Sequence, residues 1–279
     1  MWKSVMATAL VASICAAGPA AAWGDRGHSI VAEIAQRHLT PAAAAKLQEL
    51  LGGTLSLASI ASWADDYKFT DPGLKTKPWH FINIDIAKDF VPGQNCPGGA
   101  CLPEALSQQI KILANPHLAS EIRRTALYFI VHLTGDSTQP FHCSVNGDDG
   151  GGNGIKADFE GNGPDGKKRS IPSTNLHAIW DEALIDAHAF SWGSYADELE
   201  TTVVPTLREF KFDEDSVEAW TKLCHATGQA VYKLTPPPTD GVVTIDEKYQ
   251  KAVQPILNEQ LGNGGLELAA ILNWALIQN

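Results

Sequence analysis

The chain has 279 residues, with 32 Asp and Glu against 21 Lys and Arg, so its formal net charge at pH 7 is −11. A surface of that charge repels polyanions, which disfavours an extended basic groove for duplex DNA. Any phosphate group that the protein binds must therefore meet local positive charge, and a metal ion is one source of it.

The first 22 residues have the pattern of a secretory signal peptide. Lys3 precedes an apolar run, and three alanines end the segment at Ala22, which predicts cleavage after Ala22. The apolar run from Val5 to Ala17 is shorter than the roughly 20 residues that span a bilayer, so a membrane anchor is disfavoured. We therefore expect a soluble protein, secreted or periplasmic, that forms one domain over residues 23–279.

Helical periodicity dominates the rest of the chain. Ile30, Val31 and Ile34 share one helical face, and Thr40 with Pro41 is typical of the N-cap and first position of a helix that ends at Gly52. Apolar residues recur at helical spacing in segments 57–67, 102–114, 120–136 (with Ser120 as its N-cap), 175–190, 194–210, 216–234 and 248–278.

Two segments depart from this periodicity. Residues 80–86 are short and partly alternating, and residues 146–174 are rich in Gly, Asp and Asn around the alternating stretch 154–161. The second pattern indicates a long loop containing a β-hairpin, and a loop of this length is usually functional. The predicted fold class is mainly α, a single-domain helical fold with a short β-hairpin loop.

Four cysteines remain once Cys15 leaves with the signal peptide. An even number in an oxidising compartment favours two disulfides. Cys96 and Cys101 flank a PGGA turn and can close a short loop, which leaves Cys143 and Cys224 for the second bond. Thiolate ligation of zinc is the alternative, and the absence of any CxxC spacing disfavours it.

Histidine and aspartate occur at spacings that suit metal ligation. His132 and Asp136 stand four apart, as do His177 and Asp181, so each pair shares a helical face. Further candidates lie beside Trp or Pro, namely Asp65, His80 and His142. Imidazole and carboxylate ligands favour zinc, and burying so many ionisable groups without a cation would be costly.

The stretch WGDRGH adds a chelate at the predicted cleavage site. Cleavage after Ala22 would give Trp23 a free α-amine beside its own carbonyl oxygen, and His28 follows five residues later. Trp23 is otherwise interpreted as the first aromatic residue of the core.

Six motifs together resemble a known family. WGDRGH, SWADD, WHFINI, HLTGDSTQPFH, GGNGI and NLHAIWD occur in the same order as in the secreted zinc-dependent single-strand nucleases of fungi and plants, the S1/P1 nuclease family. This resemblance implies a mostly helical fold with three zinc ions in a cleft. One ion would bind Asp65, His80, His132 and Asp136, a second His142, His177 and Asp181, and the third the amine and carbonyl of Trp23, His28 and again Asp136.

The resemblance also implies the reaction. We expect an endonuclease that cleaves single-stranded DNA and RNA to 5′-phosphate products, with 3′-nucleotidase activity and with Asp65 as the catalytic residue that orients the attacking water. Phe81 would stack on a base, Asn83 would contact a base edge in place of the Asp that the family often has, and Asn153 would line the same pocket. Lys68 is a candidate phosphate contact, the alternative being a solvated surface lysine.

Two other functions fit part of the pattern. A zinc phospholipase C shares the N-terminal Trp and the metal ligands, but GGNGI and the polar Asn83 beside Phe81 favour a nucleotide substrate. A periplasmic zinc-binding protein would show His-rich tracts and closed coordination, whereas this chain spreads single ligands over several helices and leaves positions for water. No sequence feature indicates a protein partner.

Overall fold

The computed structural model describes residues 23–53 and 55–278, so the predicted signal peptide lies outside the described residues. Helices dominate this part of the chain, which confirms the predicted fold class. In chain order the α-helices are α1 (Asp25–Arg37), α2 (Pro41–Leu51), α3 (Trp63–Tyr67), α4 (Leu102–Ala114), α5 (Ser120–Asp136), α6 (Leu176–Ala178), α7 (Leu184–His188), α8 (Trp192–Thr202), α9 (Ser216–Leu234) and α10 (Glu247–Ala275). A π-helical turn (Ile179–Ala183) joins α6 to α7, and 3₁₀ segments (Asp71–His80 and Pro140–His142) follow α3 and α5.

The residues that cap α2 are those predicted from the sequence, whereas the N-cap of α5 is a different residue. The Thr40 side chain accepts a hydrogen bond from Ala43 N, and Gly52 ends α2 in the left-handed region at φ 81°. The prediction of Ser120 as an N-cap was wrong: Ala119 holds that position. Its carbonyl oxygen already accepts the first hydrogen bonds of α5, so Ser120 lies inside the first turn.

The long helix α10 packs closely against α1 in the core. A Cβ atom added to Gly265 of α10 would lie 2.4 Å from Cγ2 of Ile34, and one added to Gly264 would lie 3.2 Å from Cγ2 of Val31. Glycine therefore allows the two backbones to approach. Helix α1 also packs against α5 and α8, which brings its first turn next to the last turn of α5.

A small sheet lies beside this helical core. Strands β1 (Lys156–Asn162) and β2 (Lys168–Asn175) form the predicted antiparallel hairpin. A third strand that the sequence did not predict, β3 (Val243–Asp246), pairs in parallel with β1 to give the order β2-β1-β3. His80 ends a 3₁₀ segment, and residues 81–85 after it are non-helical and hydrogen-bond to the segment after α5, for example from Ile82 N to the His142 carbonyl oxygen over 2.7 Å.

Two disulfide bonds join the cysteine pairs that the sequence favoured. Cys96–Cys101 closes the PGGA turn, and Cys143–Cys224 ties the segment after α5 to α9 across a sequence separation of 81. Within residues 23–53 and 55–278, no helix combines the length and the apolar character needed to cross a membrane.

Candidate metal centre

The eight side chains predicted as metal ligands converge in the interior from separate elements. All are buried, and the most exposed, Asp65, retains only 8% of its surface. Helix α1 supplies His28, α3 supplies Asp65, the two 3₁₀ segments supply His80 and His142, α5 supplies His132 and Asp136, and the helical segment from α6 into the π-turn supplies His177 and Asp181.

The ligand atoms of these side chains form three groups in which all atoms lie within 4.8 Å of one another. The groups are His28, His132 and Asp136; Asp65, His80 and His132; and His142, His177 and Asp181. The third group matches the set that the resemblance implied for one ion. The first two differ from the implied sets in that His132 belongs to both and Asp136 only to the first.

Asp136 belongs to the first group and also faces the second, with Oδ1 towards His28 and Oδ2 towards His80 and His132. Oδ1 is 3.4 Å from Nε2 of His28, while Oδ2 is 3.1 Å from Nδ1 of His80 and 3.4 Å from Nε2 of His132. A carboxylate in this position is suited to bridge two cations.

Backbone carbonyl groups fix the tautomers of three of the histidines. In each case Nδ1 lies 2.6 to 2.8 Å from a carbonyl oxygen, which can only accept a hydrogen bond, so Nδ1 carries a hydrogen and Nε2 is the nitrogen that can bind a metal. The pairs are His132 with Ala61, His142 with His80, and His177 with Gly151.

The Nε2 atoms of two of these histidines face each other. Nε2 of His142 and Nε2 of His177 are 3.1 Å apart, and Oδ2 of Asp181 is 3.3 Å from the latter. Two imidazole lone pairs and a carboxyl oxygen that converge in a buried space are stable only with a proton or a metal cation among them.

Unpaired polar atoms concentrate at the same place. Among the described residues, the buried side-chain atoms without a hydrogen-bond partner include both ring nitrogens of His28, Nε2 of His80, both oxygens of Asp136 and Oδ2 of Asp181, and only two others lie elsewhere. Buried polar groups are normally hydrogen-bonded, so each exception requires an explanation. Imidazole nitrogen and carboxylate oxygen are donors that fit a divalent metal ion of the zinc type.

The protonation states of the two histidines of the third group also suit metal binding. Burial lowers the pKa of His142 to about 3 and that of His177 to about 4, so both rings are neutral at pH 7. His132 differs: burial lowers its pKa, but the charges of Asp136 and Asp65 raise it to about 9. A metal that binds His132 must therefore displace a proton.

Two residues that the sequence did not single out position the ligands. Gln139 is fully buried; its Nε2 donates to Oδ1 of Asp181 over 2.5 Å and its Oε1 accepts from Phe141 N over 2.5 Å. Gly135 leaves room for the ring of His28, since a Cβ there would lie 2.5 Å from Nδ1. Both lie within the motif HLTGDSTQPFH, but spacing alone marked only its ligands.

Trp23 is fully buried beside this cluster. Its indole Nε1 donates to Oγ1 of Thr138 over 3.3 Å, and the next amide, Gly24 N, donates to the backbone oxygen of Asp181 over 2.9 Å. These contacts hold the start of the described chain against two of the ligand-bearing segments.

A cavity of about 410 Å³ opens onto the cluster. It is lined by the predicted ligands His80, His142 and His177, by all four predicted substrate contacts (Lys68, Phe81, Asn83 and Asn153), and by Phe69, Lys77, Phe141 and Gly150. The alternative of a solvated surface lysine is wrong for Lys68, because this residue is 9% exposed and its Nζ donates to Oδ1 of Asp65.

Sequence comparisons identify proteins that are similar to this chain. Residues 23–276 match the S1/P1 Nuclease family. The chain is 31% identical over 277 residues to Nuclease S1 of Aspergillus oryzae, and the alignment covers 90% of this chain and 91% of that protein. It is 36% identical over 185 residues to Nuclease P1 of Penicillium citrinum (61% and 62% covered) and 29% identical over 276 residues to Endonuclease 2 of Arabidopsis thaliana (90% and 89% covered).

Proposed function

This chain belongs to the S1/P1 nuclease family, and on that premise we propose that it is a metal-dependent endonuclease that hydrolyses phosphodiester bonds of single-stranded DNA and RNA, leaves 5′-phosphate products and has 3′-nucleotidase activity. The observation that carries this proposal is the buried His and Asp cluster at the base of an open cavity.

We propose that the cluster holds three zinc ions. Their ligands would be Asp65, His80, His132 and Asp136 for the first, His142, His177 and Asp181 for the second, and the α-amine and carbonyl of Trp23, His28 and Asp136 for the third. The two-sided position of Asp136 and the unpaired atoms of the cluster support this assignment. Zinc bound there would supply Lewis-acid polarisation of the phosphodiester and a strong nucleophile at neutral pH.

Asp65 is the proposed catalytic residue. In the metal-free protein, burial opposes its ionisation, but the charge of His132 and a hydrogen bond to that ring hold the pKa of Asp65 below its usual range, so it is a carboxylate at neutral pH. A carboxylate at this position can accept a hydrogen bond from the attacking water and orient it. Lys68 holds Asp65 from the other side and places an ammonium group at the cavity wall, where it can contact a substrate phosphate.

The size and lining of the cavity favour unpaired nucleotides. A space of about 410 Å³ suits a small ligand, so a strand can enter by a nucleotide whose base is not paired. The ring of Phe81 is 41% exposed and available for base stacking, and the amides of Asn83 and Asn153 can pair with a base edge. Local cationic groups also explain how a chain of net charge −11 can bind nucleic acid.

The predicted signal peptide and the two disulfides support export to an oxidising compartment, either as a secreted or as a periplasmic protein. Cell fractionation with N-terminal sequencing tests this. A mature protein that begins at Trp23 is expected, and any other first residue would contradict the proposed amine ligand.

The activity is tested by a timed digest of single-stranded DNA with protein that begins at Trp23, with and without chelator, following 5′-nucleotide release. We expect chelator-sensitive release that is much faster than from duplex DNA. His142→Ala should abolish it, and the surface variant His38→Ala should not. Hydrolysis of phosphatidylcholine without nucleotide release would favour a phospholipase, and bound zinc without either activity would favour a zinc-binding protein.

A further inference from the structure

Two exposed side chains in the cavity, those of Phe69 and Lys77, have no role in the proposed reaction. Phe69 and Lys77 line the cavity together with Lys68, Phe81 and Asn83. Phe69 follows α3 in the turn that ends that helix, and Lys77 lies in the 3₁₀ segment that leads to His80. Both are close in sequence to proposed ligands, but neither is a metal ligand in any of the three groups.

Phe69 presents its ring to solvent between two cations. Its exposed fraction is 52%, larger than the 41% of Phe81 in the same cavity. Nζ of Lys68 is 5.6 Å and Nζ of Lys77 5.3 Å from the centre of the Phe69 ring, both within the range of a cation–π contact. An exposed aromatic ring flanked by ammonium groups combines the two features that bind single-stranded nucleic acid, base stacking and backbone neutralisation.

The two lysines differ in what holds them. Lys68 is buried and bonded to Asp65. Lys77 is exposed, and among residues 23–53 and 55–278 no carboxylate forms an ion pair with it. Its ammonium group is therefore free to meet a phosphate. Lys75, two residues earlier in the same segment, is also exposed but does not line the cavity.

We propose that Phe69 and Lys77 form a second nucleotide subsite, in which the ring of Phe69 stacks on the base adjacent to the one that meets Phe81, and Lys77 contacts a flanking phosphate. This inference rests on the proposed function. It makes a chain of two or more unpaired nucleotides a better substrate than a single nucleotide with a 3′-phosphate, because only the longer substrate reaches Phe69.

The first test compares kcat/KM for a single-stranded hexadeoxynucleotide with kcat/KM for a 3′-mononucleotide, using zinc-loaded protein. Removing one stacking ring should lower the ratio of these two values about 5- to 150-fold in Phe69→Ala. Phe69→Leu, which keeps apolar bulk without a ring face, should also lower the ratio, whereas Phe69→Trp should keep it near the wild-type value.

The second test uses salt. Loss of one phosphate contact on a single strand should reduce the slope of log KM against log salt concentration by about 0.7 in Lys77→Ala. Lys75→Ala is the matched control and should keep the wild-type slope.

An unchanged ratio in Phe69→Ala, or an equal loss on both substrates, would overturn the subsite, as would equal slopes in the two lysine variants. Failure of the proposed function itself appears differently: the zinc-loaded wild-type protein would hydrolyse neither substrate.

Discussion

Replacing Gln139 with leucine removes the hydrogen-bond donor that holds Asp181 but leaves every proposed metal ligand in place. Gln139 is fully buried and Asp181 is 2% exposed, so water cannot easily replace the lost 2.5 Å hydrogen bond. Burial already raises the pKa of Asp181 well above its usual range, and the bond from Gln139 opposes that rise. Without this bond the carboxyl group retains its proton more strongly, and the proton competes with the metal.

The expected loss of zinc affinity follows from the charge on the Asp181 carboxylate, which accepts the hydrogen bond. A hydrogen bond to a charged group contributes roughly 1.5–3 kcal/mol, which corresponds to about a 10- to 150-fold loss in metal affinity. Residues that orient metal ligands typically contribute about 10- to 100-fold. We therefore expect Gln139→Leu to weaken one zinc-binding event about 10- to 100-fold at pH 7, and to weaken it further as the pH falls.

The assay is a competition titration of zinc between the protein and a chromophoric chelator. Gln250 offers a matched control, since its Oε1 accepts a hydrogen bond from the backbone N of Asn162 at the end of β1 and its Nε2 donates to the backbone oxygen of the same residue. Gln250→Leu should lower the free energy of unfolding without changing zinc affinity. Wild-type zinc affinity in Gln139→Leu, or an equal loss in Gln250→Leu, would contradict the proposed role of Gln139 in holding Asp181.

Three further predictions concern the cluster and its support. Gly135→Ala should reduce bound zinc by about one equivalent, measured by atomic emission, because the added Cβ would lie 2.5 Å from Nδ1 of His28 and displace the ring. Zinc binding to metal-free protein at pH 7 should release at least one proton, because His132 is protonated before the metal binds: burial lowers its pKa, but the charges of Asp136 and Asp65 raise it to about 9. Calorimetry in buffers of different ionisation enthalpy measures this release. Replacing both Cys143 and Cys224 with alanine should lower the free energy of unfolding in urea by about 4.5 kcal/mol, because this disulfide constrains a long loop in the unfolded chain.

Each of these has a matched comparison. Gly193→Ala in α8, where an added Cβ meets nothing within 4 Å, should leave the zinc content unchanged; a loss there equal to that in Gly135→Ala would contradict the steric argument. Zinc binding without proton release at pH 7 would contradict the protonation of His132. Removing the Cys96–Cys101 bond, which spans a sequence separation of 5, should cost about 2 kcal/mol, and an equal loss for both disulfides would contradict the loop-length argument.

Local spacing was sufficient for the features that lie within one element or one short motif. The interval of four in His132–Asp136 brings Nε2 to 3.4 Å from Oδ2, as one helical turn requires. Thr40, at the start of α2, has the local capping contact that its side chain predicts. The hairpin of β1 and β2 follows in the same way from alternation next to turn residues.

Features that depend on packing between distant segments were not predictable in this way. Strand β3 has only four residues, too few to show a period, and it forms because β1 lies beside it. Gln139 supports the site only because the fold places Asp181, 42 residues later, against it. No sequence pattern distinguishes Phe69 from a core residue that follows a helix. Only the folded structure shows that its ring lines the cavity between two lysines.

The measurement that tests the account most directly combines metal content with activity in one titration. Metal-free protein beginning at Trp23 is loaded stepwise with zinc, and the initial rate of 5′-nucleotide release from single-stranded DNA is measured at each step. Negligible activity is expected without metal, and a maximum is expected near three bound zinc equivalents. Full activity in the metal-free protein, or no activity at full occupancy, would contradict the proposed metal-dependent mechanism.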